Sequence, residues 1–206
     1  MKLIDLTHTF TNEMPLYTGT PSISLKQITT IGEEGYNDHE INTSMHVGTH
    51  MDAPLHMIEN GKSINELSLD TFIGFGVLID ARNNKEIDES LLDNVRIEKE
   101  SIVLIFTDFG SRYRTDSYYK NHPTVTENFA KRMLELNIKM IGMDMPSPDK
   151  PPFPIHKILL GNNIPFLENL TNLDQLLGIE KFEVIALPAK FKADGAPVRV
   201  IAKVFD

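Results

Sequence analysis

The sequence predicts an α/β fold: a single mixed domain spanning residues 1–206, strand-rich with a few short helices. Three observations lead there. A length of 206 residues suits one hydrophobic core and hardly two. Eight β-rich runs outnumber the helical patterns. Strand and helix signals are interleaved along the chain, without a repeat and without a clear linker.

The strands are read in order at Lys2–His8, Ser22–Thr30, His39–Val47, Phe72–Asp80, Ser101–Thr107, Lys139–Asp144, Phe182–Leu187 and Val198–Phe205. Some alternate, as at Ile23, Leu25 and Gln27, which suits one buried face. Ile102-Val103-Leu104-Ile105-Phe106 is solidly apolar and suits a strand covered on both faces. The clearest helix is expected to begin at Thr124, which forms a capping box with Glu127; Val125, Phe129, Met133 and Leu136 then make one apolar stripe. Shorter helices are expected from Ser63, with Glu66 as its capping partner, and over Asp88–Leu92 and Leu173–Leu177. Pro146, Pro148, Pro151, Pro152 and Pro154 mark a stiff internal loop that delivers the chain to His156.

Composition narrows the function. Hydrophobic residues make up 41% and charged residues 24%, an ordinary globular balance. No apolar run approaches the roughly 18 residues of a membrane span, and Asp5 interrupts the N-terminal run too soon for a signal-peptide core. A cytoplasmic protein is expected, with no membrane partner. The net charge of -9 argues against a nucleic-acid partner, which demands a basic stripe. A small-molecule substrate is the expectation. The chain has no cysteine, so any metal must be held by imidazole nitrogen and carboxylate oxygen.

One segment carries chemistry. His46-Val47-Gly48-Thr49-His50-Met51-Asp52-Ala53-Pro54-Leu55-His56 holds three of the seven histidines and an aspartate at even spacing. In a straight strand His46 and His50 would lie about 13 Å apart, at ~3.3 Å per residue. Ligands of one ion must converge, so the chain has to bend, and Gly48 stands where a bend is cheapest. A helix is disfavoured by Gly48 and Pro54. A strand running into a tight loop fits best. Two imidazoles, His46 and His50, with the Asp52 carboxylate leave a coordination position open for water, the mark of a catalytic site. His56 lies just beyond Pro54 and suits an acid/base near neutral pH. His8, His39 and His122, taken singly, read as ordinary structural histidines.

The same segment resembles the H-x-G-T-H-x-D-x-P-x-H signature of the cyclase-like metal hydrolases, which include bacterial kynurenine formamidase (an arylformamidase) and isatin hydrolase. Further segments are similar across the chain: Ile4-Asp5-Leu6-Thr7, Gly142-Met143-Asp144-Met145-Pro146-Ser147-Pro148-Asp149, His156-Lys157-Ile158-Leu159-Leu160, Glu168-Asn169-Leu170, and Ala193-Asp194-Gly195-Ala196-Pro197-Val198-Arg199. The resemblance implies a swivelling β/β/α fold working as a homodimer or larger homo-oligomer. It adds His156 and Glu168 to the ligands, with Asp52 and Glu168 bridging where two ions bind. Zinc is implied, as one or two ions, with manganese an alternative. It also implies that His56 is the proton donor and acceptor.

The activity implied is hydrolysis of a small amide by metal-activated water, with an aryl formamide such as N-formylkynurenine as substrate. Tyr17 stands where the formamidases place a substrate-contacting tryptophan, and Thr18 and Thr20 replace a proline and an acid often found there. Tyr17 keeps a π-face for a planar substrate; Phe109 and Tyr113 are further aromatic candidates. Ring-opening hydrolysis of a cyclic amide, imide or lactone is the alternative within the family. A metal-dependent lyase or cyclase and a metal-retaining binding protein are the readings from other classes.

Overall fold

The computed structural model describes residues 1–205. Its strands are β1 (Lys2–Asp5), β2 (Ser24–Thr29), β3 (Asp38–Asn42), β4 (His50–Asp52), β5 (Ile73–Asp80), β6 (Glu86–Ile87), β7 (Ile102–Phe106), β8 (Thr124–Val125), β9 (Met140–Met143), β10 (Phe166–Glu168), β11 (Phe182–Pro188) and β12 (Gly195–Val204). The helices are α1 (Ile31–Glu34), α2 (Glu127–Glu135) and α3 (Pro154–Leu160). The expected strand-rich mixed α/β fold is what forms.

Eight strands make one sheet in the order β1-β12-β11-β5-β7-β9-β10-β4. The β5–β7, β7–β9 and β9–β10 pairs are parallel, and the other pairs in this sheet are antiparallel. Strand β4 also pairs with β12, so the sheet closes back on itself. The solidly apolar run behaves as its composition predicts. Ile102, Leu104 and Phe106 enter one hydrophobic cluster, with Leu6, Met51, Leu167 and Phe182. Val103 and Ile105 enter the other, which α2 and α3 cover with Phe129, Met133, Leu159 and Leu160. Period-two alternation in an all-apolar strand thus feeds two cores.

Several boundaries differ from the sequence expectation. The long helix is capped by Thr126, whose side chain accepts from Phe129 N at 3.2 Å. Thr124 and Val125 instead pair in parallel with Glu86 and Ile87. Both threonines precede an apolar stripe, and the strand pairing decides between them. Phe129 and Met133 are buried as the stripe requires. The segments after Ser63 and Asp88 and the one from Leu173 form single 3₁₀ turns, each too short to build an α-helical face. The Ser63–Glu66 capping box forms as read, with Ser63 N donating to Glu66 Oε2 at 2.9 Å.

Candidate metal centre

The central segment bends where the glycine allows it. Gly48 has φ +69°, and the chain ahead of it, carrying His46, is a turn. The extended part follows as β4, and Pro54–His56 then form a 3₁₀ turn. The order is therefore turn, strand, turn, in place of a strand leading into one loop. His50 and Asp52 share a face of β4, while Met51 points into the core and is fully buried.

Strand β4 is flanked by the two strands that complete the cluster. Glu168 lies opposite His50 in the β10 ladder, and Gly195 lies opposite Asp52 in the β12 ladder. His156 arrives separately, on α3. This seven-residue helix was not anticipated, because the prolines before it read as loop; Pro154 occupies its first turn, where a missing N–H costs nothing.

The donors form two sets that share both carboxylates. His50 Nε2 lies 3.3 Å from Asp52 Oδ1 and 3.4 Å from Glu168 Oε2. His156 Nε2 lies 3.8 Å from Asp52 Oδ2 and 3.5 Å from Glu168 Oε1. Each carboxylate thus turns one oxygen to each imidazole. All four residues are buried. Both imidazoles are oriented from behind: His50 Nδ1 donates to Gly48 O at 2.8 Å, and His156 Nδ1 donates to Asp149 Oδ1 at 2.6 Å. That fixes Nε2 of both rings as the free, inward nitrogen.

His46 reaches the same aspartate, with Nδ1 at 2.7 Å from Asp52 Oδ1. Its Nε2 is 2.8 Å from Asp194 Oδ2. With Nε2–H donating to Asp194, Nδ1 is the nitrogen turned to Asp52. The His56 ring lies 4.0 Å from that of His46 and 6.1 Å from that of His156. His46, Asp52 and His56 also offer donor atoms within 4.8 Å of one another, as do His50, Asp52 and Glu168.

The electrostatics suit a cation. Burial pushes the His50 and His156 rings down, but the neighbouring carboxylates outweigh it and carry both up to about 10. Asp52 and Glu168 dominate at His50, and Asp149 and Glu168 at His156. Burial pushes Asp52 up, yet the His50 and His46 rings hold it well below the carboxylate range. Among the described residues, five buried side-chain atoms lack a hydrogen-bond partner, and three of them are His50 Nε2, Asp52 Oδ2 and Glu168 Oε1. Leaving such groups unmatched costs about 1–3 kcal/mol each, more when charged. One divalent ion or a pair would satisfy all three, so these residues fit the group that the sequence implies.

The remaining candidates are not among these donors. Tyr17 is half-exposed and packs edge-on against Tyr119, with ring centroids 5.6 Å apart. Phe109 is buried in the second core cluster, and Tyr113 stacks on His8 at 3.7 Å. His122 is buried and His39 exposed, neither of them among the donors above. Asp149, Asn169 and Asp194 were not singled out from the sequence, although each stands inside or beside a segment resembling the family. Their roles arise from contacts across the fold, which no local pattern announces.

Comparisons with known proteins bear on the family and the fold. A family model described as "Putative cyclase" matches residues 4–150. Kynurenine formamidase of Bacillus thuringiensis subsp. konkukian (strain 97-27) is 30% identical over 205 residues, covering 97% of this chain and 96% of the relative. The solved structure of isatin hydrolase A from Labrenzia aggregata bound to benzyl benzoate superposes with a TM-score of 0.88 at 28% identity, covering 100% of this chain and 94% of that one. A structure described as a potential metal-dependent hydrolase with cyclase activity gives a TM-score of 0.82 at 28% identity, covering 100% and 98%. Among the described residues, no helix is long and apolar enough to cross a membrane.

Proposed function

The chain belongs to the cyclase family, and we propose that it is a metal-dependent amidohydrolase acting on an aryl formamide such as N-formylkynurenine. The observation that carries this reading is the pair of shared carboxylates. Asp52 and Glu168 each present one oxygen to His50 and one to His156. His46, His50 and Asp52, with Glu168 shared, are assigned as the first ligand set. His156, with Asp52 and Glu168, is assigned as the second. An oxygen–nitrogen donor set without sulfur suits zinc, and manganese is compatible.

A divalent metal, when bound, supplies a Lewis acid that makes water nucleophilic near neutral pH and polarises a carbonyl. The chain's own residues do the rest. Asp52, Glu168 and the inward nitrogens of His50 and His156 would hold the ion. His56, beside His46, takes the proton of the attacking water and passes it to the leaving aryl amine. Tyr17, packed edge-on against Tyr119, offers a π-face for a planar substrate. The proposal extends to a cytoplasmic homodimer or larger homo-oligomer, as the motif resemblance implies; analytical ultracentrifugation tests the assembly.

A second reading is ring opening of a cyclic amide, favoured by the 28% identity and full coverage of the isatin hydrolase A structure. Assaying zinc- and manganese-loaded protein on N-formylkynurenine and on isatin separates the two. Formate release from the first, with isatin turned over at least about tenfold less efficiently, supports the formamidase assignment. The reverse preference replaces it with the cyclic-amide assignment.

A further inference from the structure

Asp194 is absent from both ligand sets, yet its Oδ2 sits between two of the site's rings, 2.8 Å from His46 Nε2 and 3.2 Å from His56 Nδ1. Backbone pairing puts it there. Gly195 opposes Asp52 in the β12–β4 ladder, and Ala53 N donates to Asp194 O at 2.9 Å. Ile64 N donates to the preceding carbonyl, Ala193 O, at the same distance. The carboxylate is therefore carried at the start of a paired strand. Gly195 permits the approach: a Cβ there would lie 2.8 Å from His46 Cε1 and 2.9 Å from Met51 O.

A carboxylate can only accept, so each ring must be the donor in its contact with Asp194. For His56 this assigns the proton to Nδ1 and leaves Nε2 as the nitrogen able to exchange one. For His46 it secures Nε2 and keeps Nδ1 turned to Asp52.

We propose that Asp194 is the positioning residue of the proton shuttle, holding His56 in its Nδ1–H tautomer and tying it to the metal ligand His46. The proposal rests on the reading of His56 as the acid/base. In the cycle, Nε2 takes a proton from water as the C–O bond forms, and the resulting imidazolium faces the Asp194 carboxylate. The same proton then passes to the amine nitrogen as the C–N bond breaks, which returns a neutral ring, the carboxylic acid and the free amine. One oxygen anchors both rings, so ligand and shuttle keep a fixed separation.

The test is a long-range ¹H–¹⁵N correlation spectrum of the full chain labelled with ¹⁵N-histidine, metal-free and zinc-loaded, for wild type, Asp194→Leu and Asp194→Asn. The wild-type His56 pattern is expected to be Nδ1–H. Asp194→Leu should move it to Nε2–H and lower kcat about 10–100-fold at saturating zinc, with KM within about threefold. Asp194→Asn can turn its amide NH2 as well as its oxygen to His56 Nδ1, so it should recover less of the Nδ1–H tautomer and of kcat than the carboxylate supports. An Nε2–H pattern in the wild type, or wild-type kcat in Asp194→Leu, overturns the proposal. If wild-type protein turns over neither N-formylkynurenine nor isatin, the functional reading fails, while the tautomer spectra still decide whether Asp194 orients His56.

Discussion

Asp149 grips His156 at two points, accepting from its Nδ1 at 2.6 Å with one oxygen and from its backbone N at 3.2 Å with the other. The second oxygen also accepts from Ile155 N at 2.6 Å. One buried side chain thus caps the start of α3 and selects the histidine nitrogen that faces Asp52 and Glu168.

Asp149→Ala is expected to damage both functions. Two helix N–H groups lose their acceptor inside the protein, a loss of about 1–3 kcal/mol in stability. Affinity for the metal at the His156 side should fall about 10–100-fold. Urea denaturation and calorimetric zinc titration measure the two effects. Wild-type values in both would show that Asp149 neither caps the helix nor orients the ring.

Asn169 links the core to the other ligand set. Its Nδ2 donates to Gly48 O at 2.8 Å, the carbonyl that also accepts from His50, and its Oδ1 accepts from Tyr118 OH at 2.7 Å. Tyr118→Phe removes one buried bond and should cost about 1 kcal/mol with little effect on metal affinity. Asn169→Ala removes both bonds and frees Gly48 O, so zinc affinity should drop by at least about tenfold. Equal zinc affinity in the two variants contradicts the link.

Gly195→Ala is expected to fail on space alone. The Met51 carbonyl at 2.9 Å belongs to the β4 backbone and cannot turn aside, unlike the His46 ring. A loss of about 1–3 kcal/mol should follow, with weaker metal binding as β12 shifts from β4. Unchanged thermal stability would mean that the ladder is looser than these distances imply.

His8 sets an acid-limb prediction away from the donors. Burial, with a smaller contribution from the Arg114 guanidinium, pushes its ring down from 6.5 to about 4. The folded chain thus keeps His8 neutral in a range where the unfolded chain protonates it. Stability from this residue is complete above pH 6.5 and is lost as pH falls from there towards 4. Replacing it as His8→Phe preserves a ring against Tyr113, so the stability difference from wild type should shrink or reverse below pH 6.5. A difference that is flat between pH 7 and 4.5 contradicts the assignment.

The site was legible in the sequence to the extent that it is local. His46, His50, Asp52 and His56 fall within eleven residues, and Gly48 supplies the bend that their spacing demands. His156 and Glu168 carry no pattern of their own; the β10–β4 register and α3 bring them in, and only resemblance pointed to them. Asp149 and Asp194 stand inside family-like segments, but a hydrogen bond to an imidazole across the fold leaves no periodic trace. Strands are legible where apolar runs are long, as at β7 and β12. They are not legible where three residues suffice, as at β10. The long helix was placed correctly but begun two residues early, since Thr124 and Thr126 carry the same capping chemistry and sheet pairing chose between them.

The most direct test of the account is turnover of N-formylkynurenine by metal-free protein titrated with zinc or manganese, for wild type and His56→Ala. Activity should rise with metal bound per chain in the wild type and be abolished in His56→Ala, with metal binding retained in both. A wild-type protein that binds no metal, or whose turnover is indifferent to it, would contradict the assignment of the shared carboxylates as a metal centre.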